Sequence, residues 1–112
     1  MYEGYDNGKN FHFLNFWVPI AGVTDKSSLP IAPKSHRIPE SKILRTIDGG
    51  KVGSNSYRVV LIKEWDESSD LVRAEVDYGR VLMFSSHMIH GLAINEEEDV
   101  TRVALEFRLF KK

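Results

Sequence analysis

A chain of 112 residues with 42% hydrophobic and 28% charged residues suits one core, so we expect residues 1–112 to form a single domain. A formal net charge of -1 argues against binding to nucleic acid or an anionic membrane, and no apolar run approaches the roughly 18 residues of a membrane span. The absence of cysteine excludes disulfides and thiolate metal ligands. We therefore expect a soluble, cytoplasmic protein with no nucleic-acid or membrane partner.

The first half of the chain predicts one buried strand, one short edge strand and one short helix. Residues 10–20 (NFHFLNFWVPI) are dense in aromatic and β-branched side chains, as in a buried strand. Residues 29–33 favour a short edge strand, because Pro30 cannot donate a hydrogen bond to a sheet. Residues 39–47 favour a short helix that ends just before two glycines.

From residue 57 onward, short apolar segments alternate with turn signals. The predicted strands lie at 57–65, 70–76, 80–84, 88–95 and 101–110, and the acidic run at 96–99 predicts a solvated loop. Short strands at close spacing are typical of a β-sandwich or a β-barrel. We therefore predict a mainly β protein with at most one short helix.

Alternation along the last predicted strand separates an apolar face from a charged one. The apolar face consists of Val103, Leu105, Phe107 and Leu109, and the other face consists of Arg102, Ala104, Glu106 and Arg108. The preceding predicted strand places on one face Met88, His90, Leu92 and Ile94. His90 therefore faces the same space as Arg102 if the two strands are neighbours. A neutral imidazole suits a divalent transition metal, and a guanidinium pairs with a carboxylate through two hydrogen bonds.

Several short runs follow one another along the chain. They are NFWVPI at 15–20, the pair Thr24-Asp25, IAPKSHR at 31–37, DYGRVLMF at 77–84, the pair His90-Gly91, Asn95 and TRVAL at 101–105. In order and spacing these runs resemble the phytanoyl-CoA dioxygenase-like proteins, and the resemblance covers nearly the whole chain.

The resemblance implies a double-stranded β-helix, also called a jelly roll or cupin-like fold. Fe(II) would be held by two histidines and one carboxylate, with 2-oxoglutarate chelating the metal and an arginine pairing with its far carboxylate. By position, His90 would be a metal ligand and Arg102 the co-substrate anchor. Asn95 matches a position where the family often has a loop-fixing asparagine, and it is a second candidate for binding the co-substrate. The family chemistry is oxidative decarboxylation of 2-oxoglutarate, which usually hydroxylates an unactivated carbon.

The sequence departs from the family at the first half of the metal site. The family has a His-x-Asp pair shortly before the strand that contains Asn15, and by spacing that pair would fall at or before Met1. Either the chain begins after the pair or the protein has lost the triad. A single histidine would leave the site with little affinity for iron.

Other residues are weaker candidates for the site. His12 and His87 are possible metal ligands, although His87 has the opposite parity to His90 in a regular strand. Asn15 and Trp17 share one strand face and are candidates for contacts with a substrate. The remaining histidine, in the SHR run, is expected to be structural.

Three functions remain open at this point. The leading hypothesis is an Fe(II)/2-oxoglutarate-dependent dioxygenase domain, truncated or inactive as this chain. The second is a non-catalytic cupin-like module for binding or assembly. The third is a cupin isomerase or epimerase, which would need an acid/base pair such as His12 with Tyr57 or Tyr78.

The apolar face of the last predicted strand also predicts an assembly. In the family that face is covered by N-terminal helices, for which this sequence offers no candidate. We expect the face to be exposed, as monomers rarely tolerate, and therefore predict a homodimer or a higher assembly.

Overall fold

The structure, a computed structural model, describes residues 5–6, 9–10, 13–47, 49–57, 61–65, 71–91 and 94–111. Within these ranges the strands are β1 (Tyr5–Asp6), β2 (Lys9–Asn10), β3 (Phe13–Ala21), β4 (Pro30–Ile31), β5 (Leu44–Arg45), β6 (Gly50–Val52), β7 (Asn55–Tyr57), β8 (Ile62–Glu64), β9 (Val72–Arg73), β10 (Leu82–Ser85) and β11 (Val103–Phe110). Two 3-10 turns occur at Ser35–Arg37 and Glu40–Lys42. The prediction of a mainly β protein is confirmed.

The largest sheet has β3 at its centre, with β10 on one side and β11 on the other, both antiparallel to β3. We call it the main sheet. Strand alternation places on its inner face four buried residues of β3: Phe13, Asn15, Trp17 and Pro19. The buried strand predicted at 10–20 is therefore confirmed for its described residues, and the strand predicted at 101–110 is confirmed as β11.

A second layer forms around residues 29–32, which lie between two other segments. On one side the N–H of Ala74 donates to the carbonyl of Leu29 at 2.9 Å. On the other side the N–H of Gly91 donates to the carbonyl of Pro30, also at 2.9 Å. The short edge strand predicted here is present as β4, which pairs with β9, and an isolated bridge from Ile31 to His90 adds a contact on its other side. Pro30 is tolerated between two neighbours because its carbonyl, which it keeps, makes the bond to the ladder.

The core joins the main sheet to the second layer. Trp17, Leu29 and Phe84 are buried together, with exposed fractions of 3%, 4% and 5%. Burying a large apolar side chain contributes about 1.5–3 kcal/mol each. The two layers are therefore held face to face by side chains from β3, β10 and the segment before β4.

The helix predicted at 39–47 is wrong. The chain makes one 3-10 turn at Glu40–Lys42 and then enters β5, which pairs with β8. Leu44 is 51% exposed and Ile47 is 90% exposed, so the apolar residues of this segment have no core to pack against as a helix. Sheet pairing has overridden a weak local helix preference here.

The regular strand predicted at 88–95 is also wrong for its described residues. His90 makes one isolated bridge, to Ile31, and no strand continues through Gly91 or residues 94–95. Ile94 is 67% exposed whereas His90 is buried, so the two do not share an inward face. The other predicted strands are present in shortened form, as β7 and β8, β9 and β10, with residues 58–60 and 66–70 outside the described ranges.

The outer face of the main sheet is apolar and exposed. It comprises Leu14, Phe16, Val18 and Ile20 of β3, Met83 of β10, and Leu105, Phe107 and Leu109 of β11. The three β11 residues are 41–57% exposed, which confirms the expected apolar stripe for them, whereas Val103 lies opposite Ala21 beyond a register shift. We call this surface the outer apolar face. Within the described residues, no helix is long and apolar enough to cross a membrane.

Candidate functional site

His90 is a buried histidine at the margin of the second layer, with 5% of its surface exposed. Its Nδ1 lies 2.9 Å from the carbonyl oxygen of Met88. Because a carbonyl can only accept, this contact favours the tautomer with the proton on Nδ1 and the lone pair on Nε2. A histidine that ligates a metal is usually oriented in this way by a bond from its other ring nitrogen.

A buried serine holds the segment that leads to His90. The backbone N–H of Ile89 donates to Oγ of Ser35 at 2.7 Å, and Oγ of Ser35 lies 3.3 Å from Sδ of Met88. Ser35 begins a 3-10 turn and is 1% exposed. Sequence reasoning missed this residue as a positioning group, although it belongs to the SHR run for which a structural role is expected. His36, the next residue, is exposed.

Phe84 brings His90 close to the main sheet. The two rings meet edge to face, with centroids 5.0 Å apart and an interplanar angle of 64°. Phe84 lies directly opposite Asn15 in the pairing of β10 with β3. Side chains of directly opposite residues share one face of a sheet, about 4.5–5.5 Å apart at Cβ. The buried imidazole and the buried amide are therefore both neighbours of Phe84.

Asn15 is fully buried, and its side chain has no hydrogen-bond partner among the described residues. Neither Nδ2 nor Oδ1 has a hydrogen-bond partner there, and the residue is 0% exposed. A buried polar group left without a partner costs about 1–3 kcal/mol, and such groups in native proteins mark a functional role or an unseen polar partner. Asn15 therefore fits a polar group held between the layers. Trp17, two residues on, belongs to the core cluster.

Arg102 is half-buried just before β11, and its Nη1 donates to the backbone carbonyl of Ser27 at 3.1 Å. Gly22 allows the backbone after β3 to pass close to Thr101, the residue before Arg102. It has a φ of 65°, and a Cβ there would lie 2.0 Å from the carbonyl oxygen of Thr101. The contacts seen for Arg102 differ from those seen for His90, so the described interactions do not join the two residues.

Asn95 holds the acidic loop through two side-chain hydrogen bonds. Its Nδ2 donates to the carbonyl of Val100 at 2.5 Å, and its Oδ1 accepts from the N–H of Glu97 at 3.0 Å. The carboxylate of Glu97 in turn accepts from Oγ1 of Thr24 at 2.7 Å. The loop is thus tied to the turn after β3, and the other acidic residues of the run are exposed.

The remaining histidines lie elsewhere or outside the described residues. His87 and His36 line a cleft of about 220 Å³, together with Ile38, Glu40, Ile43 and Arg45. Glu40 and Arg45 form a two-pronged ion pair with distances of 2.5 and 2.9 Å. Hydrogen bonding to Arg45 holds the pKa of the Glu40 carboxyl below its ordinary value. His12 lies outside the described residues.

Of the residues considered as an acid/base pair for an isomerase, only the side chain of Tyr78 lies in the described part of the chain. The hydroxyl oxygen of Tyr78 accepts from the backbone N–H of Val23 at 3.0 Å, and 58% of Tyr78 is exposed. The side chain of Tyr57 lies outside the described part, as does His12. Tyr78 thus holds a surface turn against the end of β3.

The described residues include one histidine whose burial and ring orientation would suit a metal ligand. Within the ranges given above, no three His, Asp or Glu side chains are grouped as a metal would require. His90 has the burial and the ring orientation of a ligand, so it fits one position of a triad. The donor set of the described residues does not by itself complete a metal site.

Comparisons of the chain with family models, with curated proteins and with solved structures each found no match.

Proposed function

We propose that the chain forms a double-stranded β-helix domain of the Fe(II)/2-oxoglutarate oxygenase class, in which His90 is a metal ligand and Arg102 is the co-substrate anchor. Two features of the fold support the architecture. The main sheet is antiparallel, and its neighbouring strands are far apart in sequence, as in a jelly roll. A second layer packs across its inner face.

The observation that carries the proposal is the pair of buried polar side chains that both neighbour Phe84. His90 contacts the ring edge to face, and Asn15 lies opposite the same residue in the sheet. In a protein of this size, an interior with an imidazole anchored by a carbonyl and an amide without a partner is costly unless it binds something polar. A metal with a carboxylate co-substrate has that polarity.

Each residue has a role that its contacts allow. The Nε2 lone pair of His90 would ligate Fe(II), while the carbonyl of Met88 fixes the ring. The amide of Asn15 can donate to and accept from a bound co-substrate or substrate. Arg102 carries five N–H donors, of which one is seen on the carbonyl of Ser27, and that bond would orient the guanidinium toward a carboxylate. At least one more ligand would have to come from outside the described residues, where His12 is one candidate, because no three described donors are grouped.

Bound Fe(II) and 2-oxoglutarate would supply the oxidative chemistry of the class, and the substrate would then be a small molecule with an unactivated carbon.

Calorimetry without oxygen tests this proposal, with Fe(II) and 2-oxoglutarate as the probes. We expect His90→Ala to lose metal binding and Arg102→Met to lose at least about tenfold in affinity for 2-oxoglutarate while keeping the metal, because a charged anchor contributes more than about 1.4 kcal/mol. The matched controls are His36→Ala and Arg80→Met, which change an exposed histidine and an exposed arginine.

Two results would overturn the proposal. One is binding of neither probe at millimolar concentration by the wild-type chain, which would favour the non-catalytic cupin-like module. The other is an equal loss of metal binding in His36→Ala and His90→Ala, because the buried ring would then have no special role.

A further inference from the structure

The outer edge of the main sheet is a long strand with one unpaired side. β11 runs from Val103 to Phe110, pairs with β3 along one edge, and has no strand on its other edge among the described residues. Its side chains are mostly exposed. Natural proteins usually protect a long apolar edge, because its free N–H and C=O groups bind another strand readily. An edge of this kind needs a partner.

The sequence of the edge is symmetric about one residue. Around Phe107 the order is Leu, Glu, Phe, Arg, Leu, so that a leucine stands two positions away on each side and opposite charges stand one position away. We propose that β11 pairs antiparallel with β11 of a second copy of this chain, with Phe107 on the two-fold axis. This inference is independent of the proposed oxygenase function.

In this register each side chain meets a complementary one. On one face Phe107 lies opposite its own copy, and Leu105 lies opposite Leu109. On the other face Glu106 lies opposite Arg108, and the two-fold axis repeats that pair. Cross-strand aromatic, aliphatic and opposite-charge pairs all stabilise antiparallel sheets. The two outer apolar faces also lie on the same side of the joined sheet.

Neighbouring registers are less favourable. An axis at Glu106 would place two carboxylates directly opposite each other, and an axis at Arg108 would do the same with two guanidinium groups. An axis between two residues would turn the outer apolar face of one copy to the opposite side from that of its partner, because side chains alternate along a strand. Charge and alternation therefore select the axis at Phe107.

Charge reversal tests the register. In a dimer of Glu106→Arg, both pairs between positions 106 and 108 would consist of two arginines. In a dimer of Arg108→Glu, both pairs would consist of two glutamates. We expect each single variant to dimerise at least about tenfold more weakly than the wild type in analytical ultracentrifugation. An equimolar mixture of the two variants would form a mixed dimer, and the double variant Glu106→Arg/Arg108→Glu would recover the homodimer. Circular dichroism of each variant is the control that it is folded.

Cysteine cross-linking gives a second measurement, because the natural chain contains no cysteine. Phe107→Cys would form a disulfide-linked dimer on mild oxidation. Leu109→Cys alone would cross-link poorly, but it would cross-link with Leu105→Cys in a mixture of the two. Weak cross-linking of Phe107→Cys alongside strong self-linking of Leu109→Cys would place the axis elsewhere and refute the register.

Arg108 also stacks on the ring of Phe13, with its guanidinium carbon 5.5 Å from the ring centroid. Glu106→Arg leaves that contact in place, so its result carries more weight than that of Arg108→Glu.

An eight-residue strand pair buries less than the roughly 1,600 Å² of a standard interface, so we expect a dissociation constant on the order of micromolar. A wild-type monomer at about 100 times that concentration, or a dimer that survives both charge reversals, would overturn the proposal. The second result would assign the contact to the outer apolar face instead.

Discussion

Replacing Ser35 by alanine is the most direct test of how the His90 segment is held. The change removes the oxygen that accepts from the N–H of Ile89 at 2.7 Å, and both residues are at most 1% exposed. The N–H would be left buried without a partner, which costs about 1–3 kcal/mol. For a domain of about 100 residues, 1 kcal/mol corresponds to a change in Tm of about 4–8 °C. We therefore expect Ser35→Ala to lower Tm by roughly 4–24 °C.

Thermal unfolding followed by circular dichroism gives this value, with Ser54→Ala as the matched control because Ser54 lies in an exposed turn. The ring resonances of His90 in an NMR spectrum report on the local effect and should shift in Ser35→Ala alone. Equal Tm values for the two variants would show that the serine does not clamp the segment. An unshifted His90 with a lowered Tm would show that it stabilises the fold without positioning the ring.

Two further predictions concern Asn15 and Glu40. Asn15→Leu removes two unsatisfied buried atoms and keeps the branched shape of the side chain, although its methyl groups are bulkier than the amide. We expect urea unfolding to show unchanged or higher stability, by up to about 2 kcal/mol, with loss of 2-oxoglutarate binding; a large destabilisation would contradict this expectation. Glu40→Gln breaks the pair with Arg45. The pKa of the Glu40 carboxyl is lowered in the folded state. The ion pair therefore stabilises the fold at pH values above the ordinary pKa of 4.5, and this stabilisation is lost as the pH falls through the pKa of the folded state. The carboxylate side chain is 46% exposed, so we expect a loss below about 1 kcal/mol at pH 7 and none near pH 2, and an equal loss at both pH values would contradict this reasoning.

Long segments with a clear side-chain pattern were predicted best. β3 and β11 have aromatic and β-branched residues or strict alternation over eight or nine residues, and both are present close to the predicted bounds. The helix at 39–47 failed because its local pattern was weak and pairing with β8 decided the outcome. The strand around Pro30 was predicted, but its added hydrogen bonds to residues 89–91 were not, since they depend on carbonyls that a sequence rule about missing N–H groups does not consider.

The candidate site divides in the same way. The side-chain types at His90 and Asn15 were identified from the sequence, because an imidazole and an amide in apolar surroundings are unusual. Their meeting at Phe84 and the clamp by Ser35 could not be predicted, since each joins residues separated by more than fifty positions. The predicted regular strand at 88–95 also gave His90 the wrong neighbours.

By itself, the sequence of this protein determined the mainly β class, the buried central strand and the apolar stripe on the last strand, because alternation and side-chain type act locally along an extended chain. The tertiary structure alone decided that Pro30 lies inside the second layer, that Asn15 is buried without a described partner, and that one edge of β11 has no described neighbour. These features depend on which distant segments pack together. The free energy of that packing comes from contacts between segments, so the sequence of a single segment does not predict it.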